Sequence, residues 1–195
     1  MKTDWRVVLF RPFEKIAGGK ALLWGVLGLI VSTILSLWSD LHYHKLLHYG
    51  GAPNNLIWVY AVERLVVWLI PAILFLFGGL ILSKSKVRLL DVVGTTAFAQ
   101  LPLLGVTISN FLTPKELLTL DPSSITIDEY NTLLTFSAVL ASLLMVLFVT
   151  WMMIWMFNAL KVSCNLKSTT LVLWYIFAVL GGDILCRIII SGVTT

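Results

Sequence analysis

Five apolar stretches, roughly residues 21–38, 56–82, 90–112, 131–159 and 169–190, take up most of this chain and leave few folds open to it. Each approaches or exceeds the ~18–20 residues that a helix needs to cross a ~30 Å hydrocarbon core. Lipid offers no partner to a backbone N–H or C=O, so such stretches must be helices unless they close a barrel. A barrel would show ~10-residue alternating strands, and none is present. Residues are 58% hydrophobic and 12% charged. A soluble fold of this length could not hide that much apolar surface. The expected fold class is all-α: a polytopic membrane protein, a bundle of five transmembrane helices forming one domain over residues 1–195.

Lys and Arg in short connections mark the cytoplasmic side. Lys2, Arg6, Arg11, Lys15 and Lys20 precede the first span, Lys84, Lys86 and Arg88 fill the second connection, and Lys161 and Lys167 bound the fourth. The alternate connections hold only Lys45 and Lys115, so the balance is ten against two. The N-terminus is therefore expected in the cytoplasm and the C-terminus outside. The net charge of +4 reads as a topology signal, because the cations are spread over three membrane-proximal segments. That spread argues against nucleic acid as a partner. Residues 2–20 mix aromatics with cations, which suits contact with an anionic leaflet or a protein partner through Arg6, Arg11, Lys15, Lys20, Lys84, Lys86 and Arg88. Ser36-Leu37-Trp38-Ser39-Asp40 lacks a small-x-small cleavage pattern, so the first span reads as an uncleaved anchor. Cys164 and Cys186 fall on opposite sides of this topology, which excludes a disulfide between them and makes Cys164 reactive only from inside.

Several polar residues interrupt the apolar pattern. If the first outer connection is helical, Asp40, His44 and His48 share one face, a workable metal-ligand geometry. The alternative is an interfacial belt with Tyr43 and Tyr49. Glu63 and Arg64 in the second span match the depth of Asp183 and Arg187 in the fifth. A four-charge cluster between these helices is expected, acting as a static clasp or as a gate or proton site. In the third span Pro102 denies a donor to the Phe98 carbonyl, so a partner side chain or water is wanted there, and Gln100 beside it reads as an interhelical glutamine of a kinked helix, with a transport site as the alternative. Gly28, Ser32 and Ser36 form a small-residue stripe for close helix approach, Pro71 marks a kink, and Gly78-Gly79 offers a notch. Thr113-Pro114-Lys115-Glu116 has the form of a helix start, and Thr126 with Glu129 repeats it before the fourth span. No set of nucleophile, acid and base gathers on one side, and no cofactor motif is present, so no catalytic role is expected.

The stretch Asp91-Val92-Val93-Gly94-Thr95-Thr96-Ala97-Phe98-Ala99-Gln100-Leu101-Pro102 resembles the third span of the Yip (Ypt-interacting protein) domain family. The segment Arg11-Pro12-Phe13-Glu14-Lys15-Ile16 is similar to one that precedes the first span in bacterial members. The Trp155–Lys161 helix end and the turn to Lys167 look similar too. The resemblance implies five spans, a cytoplasmic N-terminus and a role in organising or recruiting other membrane components. It points to the bacterial inner membrane, with the endoplasmic reticulum or Golgi as the alternative. Eukaryotic relatives are linked to Rab GTPases through a longer N-terminal segment and an Asp-Leu-Tyr-Gly-Pro motif. Neither is seen here, which argues against GTPase binding. The implied partners are the bilayer, another membrane protein or a second copy of the chain. A small transporter or channel using the polar residues of the third and fifth spans is the other function class.

Overall fold

The computed structural model describes residues 9–51, 56–118 and 134–194. Its elements are α1 (Gly18–Ser39), β1 (His42–Tyr43), β2 (Tyr49–Gly50), α2 (Ile57–Leu82), α3 (Leu89–Ala99), α4 (Leu103–Asn110), the short α5 (Lys115–Leu118), α6 (Phe136–Ser163) and α7 (Ser168–Thr194). Five helices, with α3 and α4 counted as one, are long and apolar enough to cross a membrane. The sequence-based bounds agree to within a few residues at most ends. The fourth span ends at Ser163 rather than 159. Lys161 in its last turn can extend its charge toward the helix end, so it does not stop the helix. The expected caps at Thr126 and Glu129 lie outside the described residues. α6 is capped by Thr135, whose hydroxyl accepts from Ala138 N–H at 3.3 Å.

The third span is the axis of the bundle, packed by α1, α2 and α6, while α7 lies against α2 on the far side. Of its most apolar window 61% is buried, against 17–33% for the other four. Small residues make this possible. A Cβ on Gly25 would lie 2.5 Å from Ala97 Cβ, and one on Gly94 would lie 2.7 Å from the Gly18 carbonyl. Only bare backbone fits at those crossings. Gly28, Ser32 and Ser36 line the same buried face of α1, so the predicted stripe is real but starts earlier, at Ala21 and Gly25. The Gly78-Gly79 notch is also filled. The Trp174 indole lies over Gly78 and donates to Leu74 O at 3.1 Å, and Cys164 Sγ packs on Gly79 and donates to Phe75 O at 3.3 Å.

At Gln100 the third span tightens into a run of i→i−3 bonds. Gln100 N–H donates to Ala97 O (3.2 Å), Leu101 N–H to Phe98 O (3.0 Å) and Leu103 N–H to Gln100 O (2.9 Å). The Phe98 carbonyl deprived by Pro102 is thus satisfied by Leu101 backbone, not by a side chain or water as the sequence implied. Gln100 serves a different helix. Its Nε2 donates 2.8 Å to Val67 O, the carbonyl that Pro71 leaves without its i+4 donor. One buried side-chain amide therefore repairs the break that a proline makes on the neighbouring helix.

The two ends of the bundle differ. One gathers residues 9–17, the 83–88 connection and the 164–167 turn. There the segment before α1 does not lie free of the bundle. Trp151 and Trp155 indoles both donate to Leu9 O (2.8 and 2.6 Å), and Asn158 Nδ2 donates to Phe10 O at 2.8 Å. Phe13 is buried against Phe98 and Trp155, with ring centroids 5.8 and 6.4 Å away. The other end carries the β-hairpin, α5 and the C-terminal turns of α7.

Candidate functional site at the hairpin end of the bundle

The connection between α1 and α2 is not the helix that would align Asp40, His44 and His48. Asp40 takes a left-handed conformation (φ 54°), closes α1 and turns the chain back on itself. The residues that follow form a two-stranded antiparallel hairpin with His42 opposite Gly50 and Tyr43 opposite Tyr49. Leu41, His42, Tyr43 and Leu46 are fully buried, so the hairpin enters the bundle as a plug. Irregular backbone buried among helices must find its hydrogen bonds in the surrounding protein. The span carboxylates do so here.

Glu63 holds the first strand with both oxygens. His42 Nδ1 lies 2.9 Å from Oε1, and Tyr43 N–H donates to Oε2 at 2.8 Å. A carboxylate accepts, so the His42 Nδ1–H donates. Its ring packs on Tyr60 at 4.1 Å between centroids. Tyr43 is fixed at three points. Thr107 gives its own proton to Leu103 O, so the Tyr43 hydroxyl donates to Thr107 Oγ1 at 2.7 Å. The Arg64 guanidinium lies 4.3 Å from the centroid of the Tyr43 ring, a cation–π contact. The Tyr49 ring meets it edge-on at 5.0 Å.

The tip of the plug reaches the last span, where Leu47 N–H donates to Asp183 Oδ1 at 3.0 Å. Asn110 Nδ2 donates to Ser39 O at 2.7 Å, and Lys115 Nζ pairs with Asp40 at 2.9 Å. Spans one, two, three and five are therefore all tied to one loop.

The expected four-charge cluster is not built as a set of ion pairs. Glu63 serves His42 and the Tyr43 amide, and Asp183 serves the Leu47 amide. Arg64 is buried against Tyr43, and Arg187 is exposed. Among the described residues no ion pair within 4.0 Å joins Asp183 to Arg187 or Glu63 to Arg64. The buried Tyr43 amide has nowhere else to donate and claims Glu63, while the Leu47 amide takes Asp183 in an exposed contact. Among the described residues, His42 Nε2, Arg64 Nε and Nη1, and Gln100 Oε1 are buried without a hydrogen-bond partner.

The weak metal candidates are likewise separated by the hairpin. Asp40 pairs with Lys115, His44 Nε2 donates to Gly51 O at 3.2 Å, and the His44 and His48 rings lie tilted with centroids 5.7 Å apart. Among the described residues no group of three His, Cys, Asp or Glu side chains could hold a metal. Burial of the His44 ring lowers its pKa below 6.5, with the bond to Gly51 and the charge of Glu63 opposing that shift.

Of the basic residues expected at the opposite end, Arg11, Lys15, Lys20, Lys84, Lys86 and Arg88 are all exposed. Arg6 lies outside the described residues. Arg11 is 3.8 Å from Glu14. Both cysteines are free and buried, so neither presents a thiol for labelling from either side.

Sequence reasoning missed His42, Tyr43, Thr107 and Asn110. The available signal was a cluster of hydrogen-bonding side chains in one connection facing polar residues near three span ends. No family model matches the chain, and no curated protein or solved structure matches it significantly.

Proposed function

We propose that this chain is a non-enzymatic, Yip-like multi-pass membrane protein that organises or recruits other membrane components through a basic cytoplasmic end. In this reading the segment before α1 and the 83–88 and 164–167 connections face the cytoplasm. The hairpin and the end of α7 face outward, and the membrane is the bacterial inner membrane. The observation that carries it is the convergence of Arg11, Lys15, Lys20, Lys84, Lys86, Arg88, Lys161 and Lys167. They come from three segments, all are exposed, and all emerge at one end of the bundle. Such a surface suits an anionic leaflet or an acidic partner loop. The docked residues 9–16 give it a fixed shape, because a carbonyl held by two indoles does not wander.

A transporter or channel is the second reading, favoured by the unpartnered buried atoms of His42, Arg64 and Gln100. It requires the hairpin to withdraw, breaking its bonds to Glu63, Thr107 and Asp183 together. The adaptor reading leaves them intact.

The test is gentle-detergent purification of the full chain and of a Lys84→Gln, Lys86→Gln, Arg88→Gln variant, with quantification of every copurifying protein. A stoichiometric membrane-protein partner that the variant loses supports recruitment. No partner for either form, together with solute flux in proteoliposomes that Asp183→Asn abolishes, overturns it in favour of transport.

A further inference from the structure

At the hairpin end of the bundle, the imidazoles of His44 and His48, the ammonium of Lys45 and the guanidinium of Arg187 line one pocket with Ile190 and Ser191. The pocket has a volume of about 360 Å³ and opens to the surface between the hairpin and the last turns of α7. Among the described residues no carboxylate lines it. We propose that this pocket binds a phosphate group, as carried by the headgroup of an anionic lipid or by free phosphate.

The charge arrangement carries the proposal. Cations are disfavoured on the side of a membrane protein opposite its basic loops, so each one there calls for a reason. Four occur near this end among the described residues. Lys115 is neutralised by Asp40 at 2.9 Å, and Arg64 is buried under the Tyr43 ring. The other two, Lys45 and Arg187, lie 142 positions apart in sequence, yet the fold brings both to one cavity (187 − 45). Among the described residues neither has an ion-pair partner within 4.0 Å. Asp183, one turn before Arg187 on α7, is turned to the Leu47 amide. Two cations without an ion-pair partner among the described residues converge there beside the His48 imidazole and form an anion site, and a guanidinium is the side chain best shaped for phosphate oxygens.

The pocket is also held in shape. Its hairpin wall is fixed by Glu63 and Asp183, and the His44 ring by Gly51 O. The backbone that carries Lys45 is therefore already placed, and only its side chain must order to meet an anion. Its depth matches a lipid headgroup. Arg187 lies about two turns before the end of α7. Ile184 and Ile188 beside it are 59% and 60% exposed, giving an acyl chain apolar surface next to the charge.

The test uses the full-length chain, delipidated in neutral detergent, and native mass spectrometry against dioleoylphosphatidylglycerol, dioleoylphosphatidylcholine and inorganic phosphate. One tightly held phosphatidylglycerol is expected, with phosphatidylcholine weaker by on the order of tenfold. The variant carrying Lys45→Gln and Arg187→Gln loses that adduct by on the order of tenfold or more. Lys115→Gln keeps it, and Lys45→Arg keeps it, which guards against a folding defect in the double variant. Displacement of the lipid by millimolar inorganic phosphate assigns recognition to the phosphate alone. Retention against phosphate assigns it to the whole lipid. Equal retention by the double variant, no preference for phosphatidylglycerol, or loss of the adduct in the Lys84, Lys86, Arg88 variant instead would overturn the assignment.

Discussion

Replacing Gln100 by Met tests whether a side chain on one helix repairs the proline break in another. Met keeps nearly the same length and removes the donor. In the native chain Gln100 Nε2 lies 2.8 Å from Val67 O, and both residues are buried. Removing the donor leaves a carbonyl with no i+4 partner in an apolar interior. An unpaired buried polar group costs about 1–3 kcal/mol. Interhelical bonds in membranes average only ~0.6 kcal/mol, with a maximum near ~1.7. The substitution also removes the unpartnered Gln100 Oε1, which offsets part of the loss. The expected destabilisation is about 1–1.5 kcal/mol.

The decisive step is to repeat the substitution in a Pro71→Ala background. The alanine restores the missing N–H to Val67 O, so the Gln100 donor becomes redundant and Gln100→Met becomes nearly neutral. A coupling energy of about 1 kcal/mol should appear in the double-mutant cycle, measured by reversible unfolding in mixed micelles with tryptophan fluorescence. Strictly additive effects, within the ~0.5 kcal/mol expected of independent sites, would refute the repair argument. So would Gln100→Met being equally damaging with and without Pro71.

Three further outcomes follow from the plug and the notch. Glu63→Ala removes the acceptor of both His42 and the Tyr43 amide; it should destabilise by ~2–5 kcal/mol, at about 1–3 kcal/mol for each buried donor left unsatisfied. Hydrogen exchange at residues 42–50 should rise more than elsewhere, and uniform exchange would count against a discrete plug. Gly78→Leu places a side chain where the Trp174 indole sits, so α7 should separate from α2 and Trp174 fluorescence should shift to the red; an unchanged spectrum would show that the notch is not needed. Acidification should loosen the hairpin through His44. Its folded pKa is depressed, so its contribution is complete above about 6.5 and is lost as pH falls through the lower folded value. His44→Gln should flatten that pH dependence of exchange in the hairpin, and an unaltered profile would assign the effect elsewhere.

Much of this architecture is written in local pattern. Span number follows from the length of apolar runs, and the cationic end from the loop charges. The glycine notch at 78–79 and the irregularity at Pro102 are signalled by residue types whose backbone properties do not depend on context. The hairpin was not legible, for a physical reason. Its strands are two residues each, too short for any periodicity, and the Asp40–Tyr49 stretch also fits a helical face. What decides between them is the left-handed closure at Asp40 and the acceptors Glu63 and Asp183, which are remote in sequence. The expected cluster of Glu63, Arg64, Asp183 and Arg187 failed for the same reason, since backbone amides from another loop claimed both carboxylates. The acceptor of Gln100 was hidden in the same way, 33 positions upstream.

The bond from Leu47 to Asp183 spans 136 positions and has a consequence for biogenesis. The chain emerges from its N-terminus, so α1 and the hairpin are made long before the helix that receives the tip. Glu63 can engage the first strand as soon as α2 is in place, but the Leu47 amide has no acceptor until the final span arrives. The plug is therefore fastened at its tip only once α7 has been synthesised. A chain truncated before residue 168 would hold four spans and a hairpin fastened at one end. Such an intermediate carries an open amide and an unfilled notch at Gly78, features by which quality control can tell an unfinished bundle from a finished one.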